Sequence, residues 1–382
     1  MRIGIPKEVK IEEYRVGMAP AGARDLVRAG HEVIVESGAG DGSGYADDSY
    51  CRAGARIVQS ATEAWDVDLV MKVKEPLVEE FDYFRPGLVL FTFLHLAAAP
   101  SLTERLLRER VRGIAYETIR DGSGRLPLLR PMSEIAGRMA IQAGAHSLQR
   151  KNGGKGVLLG GVPGTSRGRV MILGGGVVGT AAAEVALGMG AQVTVLDTNL
   201  DRLTDLEERF GVAIETLYSN SHHRDELIPQ TDLIIGSVLI PGGKAPRLIQ
   251  RSDLKRMEAG TVLVDVAVDQ GGCIETCRPT FHDQPTFMID GVVHYCVANM
   301  PGAVPKTSTS ALTNATLPYV QELAKDGIVA ALGRNQYLAE GVNTWDGYCT
   351  NRLVAKASQH EFRPLPSLLE TLPSSGYEAE TD

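Results

Sequence analysis

The sequence predicts an α/β protein made of two doubly wound parallel-sheet domains with a cleft between them. Three observations carry this. A chain of 382 residues is longer than one ordinary core. Short apolar runs of strand length alternate with helix-like pieces, the pattern of a parallel sheet covered on both faces. A glycine-rich joint, "RKNGGKGVLLGGVPGTSRG", separates two such series.

In the first series the predicted strands are Arg2–Ile5, Glu32–Glu36, Leu69–Val73, Leu88–Leu94 and Gly113–Tyr116. The predicted helices are Ala21–Ala29, closed by Gly30 as a C-cap glycine, Asp47–Ala53, and Ser101–Glu109, where Leu102 and Leu106 share a face. In the second series the strands are Val170–Leu173, Gln192–Leu196, Leu233–Ser237 and Val262–Val266. Strands are expected to stop near Val297. A helix from about Ser310 to Leu323 then packs back on the first domain. The expected organisation is residues 1–130 completed by 305–365, a second domain over 131–304, and a polar, disordered tail over 366–382.

Composition removes several classes of function. Hydrophobic residues make up 43% and charged residues 23%, as in a soluble globular protein. No apolar run reaches the roughly 18 residues of a membrane span. The beginning, "MRIGIPKEVK", has no signal-peptide pattern, so a cytoplasmic protein is expected. The net charge of −8 and the absence of a basic tract argue against nucleic acid. The 5 cysteines, Cys51, Cys273, Cys277, Cys296 and Cys349, are odd in number and scattered, which predicts buried, inert thiols rather than disulfides. No metal site is expected, and His222 and His223 are read as solvent-facing.

The segment "VMILGGGVVGTAAAEVALGMGAQVTVLD" carries the strongest motif. Gly174, Gly176 and Gly179 form G-x-G-x-x-G between a strand and a small-residue helix, which marks the domain as Rossmann-like. Gly174 permits the turn. Gly176 lets a pyrophosphate approach the backbone, and Gly179 lets the helix pack on the sheet. The helix N-terminus offers amide donors to the phosphates. Asp197 lies 18 residues past Gly179 at a strand end, placed to bind the adenosine ribose hydroxyls and to repel a 2′-phosphate. NAD is therefore the expected cofactor. Arg202 is read as a solvated residue near the adenine end.

Ligands of open α/β sheets bind at the carboxyl ends of the strands. In the first domain three separate loops bring Arg15, Lys74 and His95 to that edge. Individually they have plain readings: a surface arginine, a lysine alternating with Lys72 so that one faces solvent, and a core histidine. Together they make a site for a small anion with a proton-transfer group beside it. In the second domain Asp269, Val238, Leu239 and Asn299 follow strand ends.

The strings "GIPKE…EYRV", "LVMKVKEP", "LFTFLHLAA", "PMSEIAGRMA", "GGKGVLLGGVPG", "GSVLIPGGKAP", "DVAVDQGGCIET" and "HYCVANMPGAVPKTST" resemble the alanine dehydrogenase family, which includes the NAD-binding subunit of transhydrogenase. The resemblance runs from the first residues to about Asn343. It implies reversible NAD-dependent oxidative deamination of L-alanine to pyruvate and ammonium. His95 would be the acid/base and Asp269 a second catalytic residue; Arg15 and Lys74 would bind the substrate. It implies cofactor contacts from Ser133, Val178, Asp197, Arg202 and Ser219, from Val238, Leu239, Val266, Ala267 and Val268, and from Arg278, Val297, Ala298, Asn299 and Met300. It also implies a homohexamer. Two other readings compete: hydride exchange between nicotinamides, as in transhydrogenase, and an NAD-sensing protein without turnover.

Overall fold

The computed structural model describes residues 1–238, 245–268 and 271–370. It divides into two compact units, Met1–Pro131 with Pro305–Asp382, and Met132–Val304.

In chain order the strands are β1 Arg2–Ile5, β2 Glu32–Glu36, β3 Arg56–Val58, β4 Leu69–Met71, β5 Val89–Thr92 and β6 Arg112–Ala115. They continue with β7 Arg169–Leu173, β8 Gln192–Asp197, β9 Ile214–Tyr218, β10 Leu233–Gly236, β11 Val262–Asp265, β12 Thr286–Ile289 and β13 Val292–Tyr295. The last two are β14 Val342–Trp345 and β15 Tyr348–Cys349.

The first unit holds an 8-stranded sheet in the order β15-β14-β6-β5-β4-β1-β2-β3. The second holds a 7-stranded sheet in the order β12-β13-β11-β10-β7-β8-β9. Each sheet starts at its centre, winds outward for three strands, returns, and winds the other way. The direction switches beside β1 and β4 in the first unit, and beside β7 and β10 in the second. A crevice at the carboxyl ends is expected at such switch points. The central strands are parallel, and β4, β5, β10 and β11 are wholly buried, as their continuous apolar runs require.

Neither sheet is purely parallel. Strand β12 runs antiparallel to β13, and β14 runs antiparallel to β6 and β15. The expectation that strands end near Val297 is corrected by β14, which returns to close the first sheet beyond β6. β12 and the β14–β15 pair lie at the margins of their sheets, where a strand joins in either direction without a crossover helix.

The helix Pro305–Lys325 belongs to the first unit and steadies the loop after β1. The Val16 amide donates to Thr309 Oγ1 at 3.2 Å and the Ala19 amide to Thr313 Oγ1 at 3.0 Å. The helix Leu365–Leu369 takes in the first residues of the segment read as a polar tail; positions past 370 lie outside the described residues. Cys273, Cys296 and Cys349 are buried, but Cys51 is exposed, on the outer side of the short helix Asp47–Arg52. That corrects the expectation of buried thiols throughout.

Candidate functional site

Three loops leave the carboxyl edge of the first sheet beside its switch point, and each carries a predicted residue. The loop after β1 brings Arg15. Its close approach to β4 needs Gly17, where a Cβ would stand 2.5 Å from the Met71 carbonyl oxygen. Arg15 is only 3% exposed, which corrects the reading of a surface arginine. Its Nε donates to Glu13 Oε1 at 2.6 Å and its Nη2 to Glu13 Oε2 at 2.5 Å, a bidentate grip that sets the plane of the guanidinium. Burial alone would raise the Glu13 carboxyl, but the Arg15 guanidinium and the Lys74 ammonium hold it below the usual carboxylate range.

Lys74 follows β4. Burial and the neighbouring Arg15 charge push its ammonium below the ordinary lysine value. Arg15, Glu13 and Lys74 therefore form one electrostatic group. Lys72, two residues earlier, does not face solvent: it is fully buried, 3.0 Å from Glu8 Oε2 and 2.7 Å from Glu80 Oε1. The alternation along "MKVK" sends one lysine inward and the other to the edge.

His95 follows β5, the neighbour of β4. Its φ of 49° puts a non-glycine residue in the left-handed region, a strained conformation that clusters at functional sites. Glu117, just past β6, holds it there. The Glu117 carboxylate accepts the His95 amide at 2.6 Å and the Leu94 amide at 3.3 Å. Glu117 Oε1 also stands 3.9 Å from His95 Nδ1. The imidazole stacks on Phe93 with centroids 5.8 Å apart. Its side chain is 38% exposed, so it is a presented group rather than a core histidine.

The second unit presents backbone at its switch point instead of charge. Gly174 has φ of 101°, and a Cβ there would lie 3.0 Å from Val238. A Cβ on Gly179 would lie 1.8 Å from the Gly174 carbonyl oxygen. At Gly176 the nearest atom to such a Cβ is Arg202 Nη1 at 4.0 Å, leaving a cradle over the start of helix Val177–Gly188. No side chain caps that helix, so its first amides point into the cradle. Asp197 ends β8, accepting from the Gly175 amide at 2.6 Å and the Asn199 amide at 2.8 Å. Arg202 Nη1 lies 3.7 Å from Asp197 Oδ2, closer than a purely solvated residue would be.

The remaining predicted cofactor residues fall into two groups. Ser219, Val238, Val266, Ala267 and Val268, and Val297, Ala298, Asn299 and Met300, follow the ends of β9, β10, β11 and β13. Ser133 lies instead on the helix Arg130–Ser147, whose Gly137 packs on the Val178 carbonyl, and Arg278 stands over the Phe287 ring at 4.7 Å. Leu239 and Asp269 lie outside the described residues. Asp265 ends β11 and accepts from the amides of Ala267, Cys273 and Ile274, on both flanks of the segment containing position 269. His222 is exposed, and His223 Nδ1 is 2.8 Å from the Tyr218 carbonyl oxygen.

Sequence reading missed the carboxylates Glu8, Glu13, Glu80 and Glu117. Glu13 had a local signal, an acid two residues before Arg15. The others meet their partners only through the fold.

A glycine cradle for phosphates in one unit and a cationic sheet edge with a presented histidine in the other define an α/β dinucleotide-binding protein equipped to hold a small anion. The chain belongs to the alanine dehydrogenase/PNT family: its N-terminal domain model matches residues 4–136 and its C-terminal domain model residues 140–352. The chain is 53% identical over 371 residues to "Alanine dehydrogenase 2" of Staphylococcus aureus strain USA300, covering 97% of this chain and 100% of the relative. It is equally 53% identical over 371 residues to "Alanine dehydrogenase" of Geobacillus stearothermophilus, with the same coverage. A solved "L-alanine dehydrogenase" superposes with a TM-score of 0.91 at 52% identity, over 96% of this chain and 100% of that one.

Proposed function

We propose that this chain is an NAD-dependent L-alanine dehydrogenase, interconverting L-alanine with pyruvate and ammonium. The observation that carries the reading is the cationic edge, where Arg15 and Lys74 stand as one group beside the strand that presents His95, in a chain that aligns end to end with alanine dehydrogenases. The Gly174–Gly179 cradle with Asp197 supports NAD, and the Asp197 carboxylate disfavours a 2′-phosphate.

NAD supplies the acceptor for the hydride leaving the substrate Cα. Arg15 and Lys74 hold the substrate carboxylate, Arg15 with its plane already set by Glu13, so that Cα is positioned before reaction. Water then adds to the substrate iminium, and His95 takes the proton that water releases. Ammonia leaves as pyruvate forms. Each turnover thus consumes one water and releases one ammonium and one proton. Lys74, its ammonium already lowered, polarises the developing carbonyl oxygen. Asp269 steers protons at the amine. In the further cofactor set, Ser133, Ser219, Arg278 and Asn299 contribute polar contacts.

The proposal further includes action in the cytoplasm, tested by cell fractionation, and, on the family resemblance, assembly as a homohexamer, tested by light scattering. Among the described residues no helix is long and apolar enough to cross a membrane.

The test is a spectrophotometric assay of NADH formation with a panel of small amino acids, each with NAD and with NADP. L-alanine with NAD should give the fastest rate, with serine and glycine slower. Binding of NAD without reduction by any of them would instead identify a sensor. Hydride exchange between nicotinamides with no amino acid present would identify a transhydrogenase.

A further inference from the structure

The charged groups Glu8, Lys72 and Glu80 take no part in this chemistry, yet all three are buried directly beneath the site-bearing segment. Their side chains are 2%, 0% and 3% exposed. Lys72 Nζ lies between the two carboxylates, 3.0 Å from Glu8 Oε2 and 2.7 Å from Glu80 Oε1. Each carboxylate uses its other oxygen on the backbone. Glu8 Oε1 accepts the Val73 amide at 2.6 Å and the Lys74 amide at 3.3 Å. Glu80 Oε2 accepts the Leu77 amide at 2.8 Å. The stretch from Val73 to Leu77 is thus held at both ends, and one ammonium links the two holds. Thr92 Oγ1 adds a third hold, donating to the Lys74 carbonyl at 3.1 Å.

Taking three charges out of water is costly, and apolar side chains of similar volume fill such a space at no loss of stability. What apolar packing does not provide is direction. Hydrogen-bonded ions specify where particular amides sit, and here those amides include that of Lys74 itself.

We propose that Glu8, Lys72 and Glu80 act together as a positioning device for Lys74, fixing the backbone from which its ammonium meets the substrate carboxylate. This rests on the alanine dehydrogenase reading for the substrate's identity, but not for the fixing of the backbone. Lys72 is therefore a positioning residue and Lys74 the one that touches substrate.

Two variants test it in the full-length protein. Glu8→Leu/Lys72→Met/Glu80→Leu replaces the ions with apolar groups and removes both backbone acceptors. The unfolding midpoint should fall moderately, because the amides of Val73, Lys74 and Leu77 lose their acceptors even though the buried charges go together. KM for L-alanine should rise at least about tenfold, while KM for NAD stays unchanged. Amide exchange of the peptide covering residues 69–77 should quicken by about tenfold to a hundredfold.

Glu8→Gln is milder, leaving Lys72 paired with Glu80, and serves if the triple variant does not fold. Its alanine KM should rise about threefold to tenfold, with a smaller gain in exchange. A folded variant with wild-type alanine KM and wild-type exchange would overturn the proposal. A purely structural role would lower the unfolding midpoint and leave alanine KM unchanged, and so would also overturn it. If the wild-type protein makes no NADH from alanine, the functional reading fails, and the exchange measurement alone decides whether the device fixes the backbone.

Discussion

The two units share one topology and use it in opposite ways. In each, the chain begins in mid-sheet, winds out, returns and winds out again, and the loops beside the switch point carry the predicted residues. The first unit fills that edge with side chains: the charged Arg15, Glu13 and Lys74, and the imidazole of His95. The second empties it, with glycines at 174, 176 and 179 and amides directed into the space they leave. The contrast follows from ligand size. A small carboxylate is gripped by a few fixed cations. A pyrophosphate needs room for the backbone itself to approach. On the proposed function, the same sheet edge becomes a substrate site or a cofactor site according to whether its loops add side chains or remove them.

The largest expected effect separates the two edges. His95→Ala should lower turnover by about 10²–10⁴-fold while leaving NADH affinity unchanged, measured by steady-state kinetics and fluorescence titration. A parallel loss of NADH binding would mean that the edges do not divide the work.

The converse change is Gly179→Ala. Its new Cβ would meet the Gly174 carbonyl at 1.8 Å, so the turn must shift. Overpacking of this kind costs about 1–3 kcal/mol, and NADH affinity should fall by about tenfold to a hundredfold. An unchanged NADH titration would count against the cradle.

A third change sharpens the account of the first edge. Glu117→Ala removes the acceptor that holds the strained His95 turn, and kcat should fall about tenfold with NADH affinity intact. Glu117→Gln keeps an acceptor oxygen and should recover most of that loss. If both variants turn over at the wild-type rate, Glu117 does not position His95.

The last test is a pair of opposed pH dependences. Glu13 is held below its ordinary value by Arg15 and Lys74, against the burial that would raise it. Its contribution to stability is present above about pH 4.5 and is lost as pH falls further. Asp265 is pushed up to about 6 by burial, despite three backbone amides that favour its charge. The folded state therefore prefers protonated Asp265, and stability should fall by about 3 kcal/mol as pH rises from about 4 to about 6. Thermal unfolding against pH should lose that decline in Asp265→Asn and lose the acid-side drop in Glu13→Gln. The same pH curve in both variants and wild type would refute the assignments.

Much of this was legible in the sequence because the central strands are apolar on both faces. Strands β1, β5, β7, β10 and β11 all show as continuous apolar runs. Strand β9, "IETLY", did not, because it is half exposed and its polar residues break the run. Strands β14 and β15 belong to a sheet whose other strands end some two hundred residues earlier, and no local pattern reports that return. The site divides the same way. Lys74 and His95 follow predicted strands and Arg15 lies in the loop after the first, so topology alone brings all three to one sheet edge. Glu8 is a single carboxylate in a loop and Glu117 one in the short 3-10 turn Tyr116–Thr118, and the amides and ammonium they serve are assembled only by the finished sheet.

The central claim is hydride transfer from alanine to NAD. Its most direct measurement uses L-alanine deuterated at Cα, with the NADH product analysed for isotope. The account predicts deuterium on the nicotinamide ring of NADH, with pyruvate and ammonium formed in equal amounts. Deuterium released to solvent, or NADH formed without it, would contradict that claim.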